Sequence, residues 1–491
     1  MRLDRIIRNC DAEITYGSCH VEVDAVCCDS RQVKAGAMFI AVKGFSSDGH
    51  EYISMAISKG ARVIVYEDSE AVRKQSIHKD EAEGVVFVKV GSARRAMGIM
   101  ASNFYNNPSE KLTLIGITGT NGKTTTVTLM HRMFMSMGYN CGLLSTIANY
   151  VGNKGTEAIN TTSDPITMNS MMDQMVKAGC EYCFMEVSSI GVEQERIAGL
   201  KFKAAIFSNL THDHLDYHKT FSEYIRCKKM FFDNLDVEAT AIINTDDKNG
   251  QVMVQNTKAK VVTYSCRSMA DHTCRVMEQS FEGMLLKIDG KEAWTGLIGQ
   301  HNAYNLLALY STAVELGADP EEVLVAMSTL RPAPGRLENM KGPKDISVII
   351  DYAHTPDALE NVLKTLREIA PDRELICLFG CGGDRDKTKR PEMGLIAQKM
   401  ADRIIVTSDN SRTEKTSDIM ADIKTGMDIS GRAKSLFIED REEAIRTAIM
   451  LATPGATVLL AGKGHETYQI IGTEKRHFDE KEIVEEIFKT I

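Results

Sequence analysis

Short apolar runs alternate with amphipathic stretches along the whole chain. In the first hundred or so residues the runs are GAMFIAVKG, ARVIVYED and GVVFVKV, and from Leu112 onward they are LTLIGI, CGLLS, YCFMEV, AAIFS, TAIIN and KVVTYS. Apolar strands separated by helices are typical of a mostly parallel sheet whose two faces are both covered. The pattern therefore predicts an α/β fold with a mostly parallel central sheet.

A proline- and glycine-rich stretch, RPAPGRLE at 331–338, interrupts this alternation and predicts a hinge or linker. Beyond it lie ISVIIDYAH, ELICLFGCGG, RIIVTSDN and ATVLLAGKG, which end in polar residues or glycine. Because open α/β sheets bind ligands at the carboxyl ends of their strands, these ends are expected to form a site. We predict three domains, at 1–109, 110–332 and 333–491.

Composition limits the class of protein. The length of 491 residues suggests about two to four domains. The net charge of −9 argues against a nucleic-acid-binding protein. No apolar window could span a bilayer and the N-terminus lacks the apolar core of a signal peptide, so we expect a cytoplasmic protein without stable membrane insertion. The twelve cysteines are scattered, and the single CxxC, Cys180–Cys183, lacks a second pair. Free buried thiols are therefore expected rather than a zinc site.

The stretch GITGTNGKTTT at 116–126 directly follows the apolar run LTLIGI. Backbone N–H groups in such a strand-to-helix turn can surround phosphate oxygens, Lys123 would add positive charge, and Thr124 could hold Mg²⁺. The glycines do not have the usual phosphate-loop spacing, and the alternative is an ordinary glycine-rich turn. The Gly-Lys-Thr-Thr sequence after a strand favours the phosphate loop.

Two further metal-ligand candidates follow, Glu186 at the end of MEVSS and His214 in THDHLDYH. A carboxylate suits Mg²⁺, whereas imidazole is a less usual ligand for so hard a cation. Taken alone, both residues could equally be helix caps or solvated turn residues.

Seven segments occur in the order found in the Mur ligases: TGTNGKTTT, MEVSS, DHLDYH, GQHNAYN, APGRLE, DYAHTPDAL and GCGGDRDKTKRPEMG. The chain resembles this family of ATP-dependent, amide-forming enzymes of peptidoglycan synthesis. Four further segments resemble motifs of the UDP-N-acetylmuramoyl-tripeptide synthetases, the members of the family that add the third stem-peptide residue. These segments are DSR at 29–31, NTT at 160–162, DNSR at 409–412 and GKGHE at 462–466. The resemblance implies a uridine-nucleotide-binding N-terminal domain, a central P-loop-type ATP-binding domain and a Rossmann-like C-terminal domain that holds the amino acid.

The resemblance also implies a reaction. ATP would phosphorylate the terminal carboxylate of UDP-N-acetylmuramoyl-L-Ala-D-Glu, and the amine of the incoming amino acid would attack the acyl phosphate. The implied catalytic residues are Lys123, Glu186, His214 and Lys228. By the same resemblance, the residues that would bind the nucleotide are Gly119, Thr120, Asn121, Gly122, Lys123, Thr124, Thr125, Asn302, Arg336 and Asp351.

The resemblance also implies which residues bind metal ions. Thr124 and Glu186 would bind one Mg²⁺, and His214 with a carbamylated Lys228 would bind a second. Lys229 is the alternative position for the carbamate, and two ordinary solvated helix lysines remain possible on the residues alone.

Substrate binding is implied for Cys28, Ser30, Ser46 and its neighbours, Asn160, Thr161, Thr162, Ser188, Gln194 and Arg196. The sequence departs from the family at Ile190, which replaces a frequent histidine, and at Phe45, which begins the loop after AVKG.

By the same resemblance, the added amino acid would be held by Arg385, Asp409, Asn410, Ser411, Arg412, Gly462 and Glu466. Relatives with a DNPR motif add meso-diaminopimelate, whose distal carboxylate pairs with the arginine. This chain keeps Arg412 but has Ser411 in place of the proline. We expect meso-diaminopimelate, with lysine as the alternative, and a monomer. Two further alternatives are a folylpolyglutamate synthetase-like ligase and a non-catalytic nucleotide-binding protein.

Overall fold

The structure, a computed structural model, describes residues 1–44, 47–74, 83–158, 160–211, 215–332 and 334–491. The described residues form three large sheets, each with its own helices, and one separate hairpin. This confirms the predicted α/β class and the mostly parallel central sheet.

The N-terminal sheet has five strands in the order β1-β5-β4-β3-β2, and only β1 runs antiparallel to its neighbour. Its strands are β1 (Ala12–Tyr16), β2 (Ala25–Cys27), β3 (Ala37–Ile40), β4 (Val63–Tyr66) and β5 (Val86–Val90). Its helices are α1 (Leu3–Ile6), α2 (Ile53–Ser58), α3 (Ser69–Lys74) and α4 (Ala93–Phe104), with 3₁₀ turns at Ser30–Gln32, Gly49–Tyr52 and Pro108–Glu110.

The central sheet has eleven strands in the order β16-β15-β14-β13-β12-β11-β6-β10-β7-β8-β9. They are β6 (Thr113–Thr118), β7 (Cys141–Leu144), β8 (Ala148–Val151), β9 (Lys154–Glu157), β10 (Tyr182–Glu186), β11 (Ala204–Phe207), β12 (Thr240–Asn244), β13 (Lys260–Ser265), β14 (His272–Ser280), β15 (Gly283–Ile288) and β16 (Lys291–Thr295). The helices are α5 (Lys123–Ser136), α6 (Pro165–Lys177), α7 (Ser189–Glu193), α8 (Leu215–His218), α9 (Phe221–Asp233), α10 (Gly250–Met253), α11 (Gln300–Glu315) and α12 (Pro320–Ser328).

The C-terminal sheet has six strands in the order β17-β18-β22-β19-β20-β21, and a hairpin pairs β23 with β24. The strands are β17 (Glu338–Lys341), β18 (Ser347–Asp351), β19 (Leu375–Phe379), β20 (Arg403–Val406), β21 (Ser435–Phe437), β22 (Thr457–Ala461), β23 (Tyr468–Ile471) and β24 (Glu474–His477). The helices are α13 (Pro356–Ile369), α14 (Lys389–Met400), α15 (Thr416–Thr425), α16 (Ile429–Ala433), α17 (Arg441–Leu451) and α18 (Glu480–Phe488), with a 3₁₀ turn at Pro343–Asp345.

Strand β6 shows why the central strands read as continuous apolar runs. Ile115 and Ile117 belong to the cluster that includes α5 and α11, whereas Leu114 belongs to the cluster that includes α6 and α9. Helices therefore cover both faces of the strand, and successive side chains are buried on opposite sides. The six predicted central strands are all present, but the strands at the two margins of the sheet, β8, β9 and β14–β16, were not predicted.

All twelve cysteines are free thiols, and eight of them are buried, including Cys180 and Cys183. Among the described residues, no helix combines the length and apolarity required to cross a bilayer.

Helix α14 packs closely against α15 at Gly394, where a β-carbon would collide with the carbonyl oxygen of Ile423. We predict that Gly394→Ala lowers the free energy of unfolding by about 1–3 kcal/mol, because the two helices must separate to admit a methyl group. Urea denaturation measures this. Glu392→Ala, at an exposed position of the same helix, should change stability by less than about 0.5 kcal/mol. Equal midpoints for the two variants would contradict the prediction.

Candidate functional site

The phosphate loop, residues 119–122, connects the end of β6 to the start of α5. Gly119 and Gly122 have φ angles of +152° and +87°, which non-glycine residues rarely adopt. A β-carbon at Gly119 would also collide with Ser208 Oγ, and one at Gly122 with Asn305 Oδ1. The unusual spacing of the glycines therefore follows from this turn and from its close packing.

The segment after β11 holds this loop in place. Asn121 N donates to Asn209 Oδ1 at 2.9 Å, Thr120 N donates to the Asn209 carbonyl at 2.8 Å, and Ser208 Oγ donates to the Asn121 carbonyl at 2.7 Å. Because strands β6 and β11 are parallel neighbours, their carboxyl ends meet at the same edge of the sheet. The phosphate loop is thus preformed, and the positive end of the α5 dipole lies beside it.

Two lysines meet at the carbonyl oxygen of Gly119. Lys123 Nζ donates to it at 2.9 Å and Lys228 Nζ at 2.8 Å, although the two residues are more than a hundred positions apart. Lys228 is buried, and its ammonium lies 4.5 Å from the centroid of the Tyr224 ring. Lys229 instead contacts Asp233 at 2.5 Å. Of the two adjacent lysines, Lys228 is the one that reaches the phosphate loop.

Glu186 ends β10, next to β6, and is fully buried. Thr124 Oγ1 donates to Glu186 Oε2 at 3.0 Å, and Thr146 N donates to Oε1 at 2.8 Å. A carboxylate and a hydroxyl beside a phosphate loop are oxygen donors of the kind that Mg²⁺ prefers, so the donor set fits this ion. His214 lies outside the described residues, and so do Phe45 and Ser46.

The predicted peptide-side residues form a network beside Glu186. Thr162 Oγ1 donates to the Glu186 carbonyl at 2.9 Å and accepts from Ser188 N at 3.0 Å. Arg196 donates to the Thr162 carbonyl at 2.5 Å and to Gln194 Oε1 at 2.7 Å.

The remaining substrate candidates that the structure describes are Asn160 and Thr161, which precede Thr162, and Cys28 and Ser30 near the N-terminus. Thr146 Oγ1 donates to Thr161 Oγ1 at 3.1 Å, and Asn160 is exposed nearby in the sequence. Cys28, which is exposed, and Ser30, which is buried, follow β2 in the N-terminal sheet.

A cavity of about 630 Å³ lies between the central sheet and α13. Asn302, Arg336 and Asp351, the predicted nucleotide residues, line it together with residues of the phosphate loop and Thr125. Asp351 accepts hydrogen bonds from Leu337 N at 2.7 Å and from Ala353 N at 2.8 Å. We call this space the nucleotide cavity.

One hydrogen bond links the phosphate loop to the C-terminal part of the chain. Asn121 Nδ2 donates to Asp357 Oδ2, at the start of α13, at 2.8 Å. The start of α13 is therefore held against the phosphate loop, beside the nucleotide cavity that both line.

The residues predicted to hold the added amino acid follow three strands of the C-terminal sheet, and we call the space around them the amino-acid pocket. Arg385 follows β19, the segment Asp409, Asn410, Ser411 and Arg412 follows β20, and Gly462 and Glu466 follow β22. Asn410 Nδ2 donates to Glu466 Oε2 at 2.8 Å, and burial, with Asp409 nearby, raises the pKa of Glu466. Arg412 Nη1 donates to the Gly383 carbonyl at 2.9 Å.

Arg385 and Arg412 flank one glycine of this pocket. A β-carbon at Gly382 would lie 3.1 Å from Arg412 Nη1 and 3.7 Å from Arg385 Cγ. Both arginine side chains therefore lie on the side of Gly382 that a β-carbon would occupy. Together with Glu466, they give the pocket groups of both charge signs.

Sequence reasoning missed several contact residues. Asn209, Thr146 and Asp357 bind the loop or Glu186 from distant positions, and nothing local in the sequence marks them. Tyr224 carries a weak signal, because it precedes Lys228 by four residues and therefore shares its helix face. Lys463 lies within the GKGHE segment, between two residues that were assigned.

Comparisons with known proteins agree with this geometry. Residues 22–105 match the family described as Mur ligase family, catalytic domain, residues 117–313 match Mur ligase middle domain, and residues 335–464 match Mur ligase, glutamate ligase domain. A curated relative from Cytophaga hutchinsonii, UDP-N-acetylmuramoyl-L-alanyl-D-glutamate--2,6-diaminopimelate ligase, is 49% identical over 97% of this chain and 96% of its own. The chain belongs to the Mur ligase family.

Solved structures support this Mur ligase fold. A structure of UDP-N-acetylmuramoyl-L-alanyl-D-glutamate--2,6-diaminopimelate ligase is 30% identical, with a TM-score of 0.71, over 100% of this chain and 99% of its own. Mycobacterium tuberculosis folylpolyglutamate synthase, complexed with ADP and AMPPCP, is 17% identical with a TM-score of 0.60 and covers 75% of this chain and 92% of its own. That second likeness concerns the fold alone.

His465 packs against the Tyr352 ring at 4.9 Å between centroids, and its buried Nδ1 has no hydrogen-bond partner among the described residues. Burial, with Arg336 nearby, lowers the pKa of His465 from 6.5 to about 4. The folded Mur ligase therefore holds this imidazole neutral at pH values where the unfolded chain would protonate it.

We predict that this difference makes the protein less stable in mild acid. The stabilisation is fully present above pH 6.5, the unfolded value, and is lost as the pH falls toward about 4. Between about pH 7.5 and pH 5.5, wild type should lose about 1.4 kcal/mol more stability than His465→Gln. Denaturant titrations at both pH values measure this. His20→Gln, at an exposed position, should retain the wild-type pH dependence, and an unchanged dependence in His465→Gln would contradict the prediction.

Proposed function

We propose that this chain is an ATP-dependent ligase that joins meso-2,6-diaminopimelate to UDP-N-acetylmuramoyl-L-Ala-D-Glu and forms ADP, a step of peptidoglycan biosynthesis. The names of the 49%-identical relative and of the 30%-identical structure support this reaction. The observation that carries the proposal is the amino-acid pocket, where Arg385 and Arg412 both approach Gly382 and Glu466 accepts a hydrogen bond from Asn410. The three domain boundaries, the monomeric state and the cytoplasmic location remain predictions of the sequence.

The phosphate loop is suited to bind ATP. Its N–H groups and the start of α5 favour an anion, and Lys123 adds a flexible positive charge. The nucleotide cavity continues from the phosphate loop toward Asn302, Arg336 and Asp351, which would contact adenine and ribose. Positioning and charge neutralisation are what phosphoryl transfer mainly requires of a protein.

Thr124 and Glu186 would hold one Mg²⁺, and His214 with a carbamylated Lys228 would hold a second. Bound magnesium would neutralise charge on the phosphates. The position of Lys228 supports its modification, because its fully enclosed side chain reaches the phosphate loop at the Gly119 carbonyl, next to Lys123. A carbamate would convert this cation into an anion with two oxygen ligands.

Arg412 supports diaminopimelate over lysine. A guanidinium binds a carboxylate with two parallel hydrogen bonds, and diaminopimelate has a distal carboxylate that lysine lacks. Glu466 would bind the ammonium of the same distal centre. Ser411 removes the proline of the family motif but no charge.

We expect product only when ATP, UDP-N-acetylmuramoyl-L-Ala-D-Glu and meso-diaminopimelate are all present, with kcat/KM for lysine at least about tenfold lower. Arg412→Ala should lower kcat/KM for diaminopimelate by about 10- to 100-fold, because a charge-assisted pair is lost, and should leave the value for lysine unchanged. Phosphate release with mass spectrometry of the product measures both. Arg432→Ala, at an exposed position, serves as the control. Preferential use of lysine would overturn the substrate assignment, and turnover of a folate with glutamate would favour the folylpolyglutamate alternative.

We also predict that Lys228, and not Lys229, carries the carbamate. With ¹³C-labelled bicarbonate, wild type and Lys229→Ala should show a carbamate carbon signal by NMR, and Lys228→Ala should not. Lys228→Ala should lose most ligase activity, whereas Lys229→Ala, which removes the contact with Asp233, should retain most of it. An undiminished rate for Lys228→Ala at low bicarbonate would remove the assignment.

A further inference from the structure

Lys463 lies beneath the amino-acid pocket and contacts three of its side chains. Its side chain is fully buried, and Nζ donates to the Tyr468 carbonyl at 2.6 Å and to Asn410 Oδ1 at 3.2 Å. The carboxylates of Asp409 and Glu466 each lie 3.6 Å from the same Nζ. One ammonium group therefore joins polar side chains from two separate strand ends, those of β20 and β22.

A buried lysine is costly unless charges compensate it, so its presence here calls for a specific reason. The rings of Tyr468 and Phe478 lie 5.9 Å and 5.7 Å from Nζ, but an uncharged side chain could pack there as well. The carboxylates of Asp409 and Glu466, brought together by Asn410, are what require a cation. Without one, the two negative charges would repel each other across the pocket.

A different residue fixes the backbone of the same two segments. Arg441 is fully buried, donates to the Ser408 carbonyl at 3.0 Å and to the Ala461 carbonyl at 2.9 Å, and pairs with Glu480 at 2.8 Å. Ser408 and Ala461 immediately precede Asp409 and Gly462 in the chain. Arg441 thus positions the main chain at both strand ends, which leaves Lys463 to position the side chains.

We propose that Lys463 is a positioning residue that holds Asp409, Asn410 and Glu466 in the arrangement that receives the incoming diamino acid. This inference rests on the proposed function and extends it to a residue that would not touch the substrate. It assigns the binding of the ammonium group to a set of side chains assembled around a buried cation.

The test compares Lys463→Met, which removes the charge but keeps an unbranched side chain of similar size, with Lys463→Arg, which keeps the charge, and with the surface control Lys399→Met. For each protein, kcat and the KM values for ATP, UDP-N-acetylmuramoyl-dipeptide and diaminopimelate are measured, together with the melting temperature. In Lys463→Met we expect KM for diaminopimelate to rise at least about tenfold, and the other two KM values to change less than about twofold. Lys463→Arg should restore part of the loss, and Lys399→Met should behave as wild type.

Two outcomes would overturn the inference. One is a folded Lys463→Met protein whose KM for diaminopimelate is within about twofold of wild type. The other is an equal effect on all three KM values, which indicates a purely structural role. If Lys463→Met does not fold, the test rests on Lys463→Arg, whose guanidinium places the hydrogen-bond donors at different positions from those of the lysine ammonium. In that variant KM for diaminopimelate should rise while the other two KM values stay the same. An unchanged KM for diaminopimelate would reject the inference. A wild-type protein that uses neither diaminopimelate nor lysine would instead reject the proposed function.

Discussion

The carbonyl oxygen of Gly119 accepts hydrogen bonds from two lysines, and the arrangement around it determines the rest of the central site. Lys123 approaches from the first turn of α5, and Lys228 approaches from the buried face of α9. A bound triphosphate concentrates negative charge, and Lys123 is the cation that the first turn of α5 supplies beside the loop. Bringing two lysine side chains to one carbonyl requires a loop of fixed shape, which explains the two glycines with positive φ and the hydrogen bonds from the segment after β11.

This arrangement depends on a parallel sheet. Strands β6, β10 and β11 are parallel neighbours, so Thr118, Glu186 and Ser208 reach the same edge although they are far apart in the chain. The fully buried Glu186 carboxylate accepts hydrogen bonds there from Thr124 Oγ1 and from the Thr146 N–H. The C-terminal sheet repeats the principle after β20 and β22, where the buried Asp409 and Lys463 and the half-buried Glu466 lie close together.

Much of this could be predicted from the sequence, for identifiable physical reasons. Strands buried on both faces give continuous apolar runs, and the six central strands that were predicted are of this kind. The hairpin strands β14–β16 are partly exposed, and their apolar residues are interspersed with polar ones. Their hydrophobic pattern is therefore weaker than that of the helices that follow.

The site was predictable only where it is local in the chain. The phosphate loop and the DNSR segment are contiguous, and their residues could be named by position. The contacts of Asn121 with Asp357, of Glu186 with Thr146, and of Lys463 with Asn410 span 236, 40 and 53 residues, and only the fold brings them together. No sequence pattern records such a pairing when a single chain is considered alone.

The two pockets are also joined by a single strand pair. Asp351 ends β18 and lines the nucleotide cavity, and in the register of the sheet it pairs with Ala461, the last residue of β22. Gly462 N donates to the Asp351 carbonyl at 3.0 Å. A residue of the amino-acid pocket is therefore hydrogen-bonded directly to a residue that lines the nucleotide cavity. Because adjacent strands cannot slide by one residue without exposing buried side chains, this pairing fixes how the two pockets face each other. In the proposed reaction, an amine in the amino-acid pocket and a carboxylate phosphorylated beside the nucleotide cavity would approach each other along this strand pair.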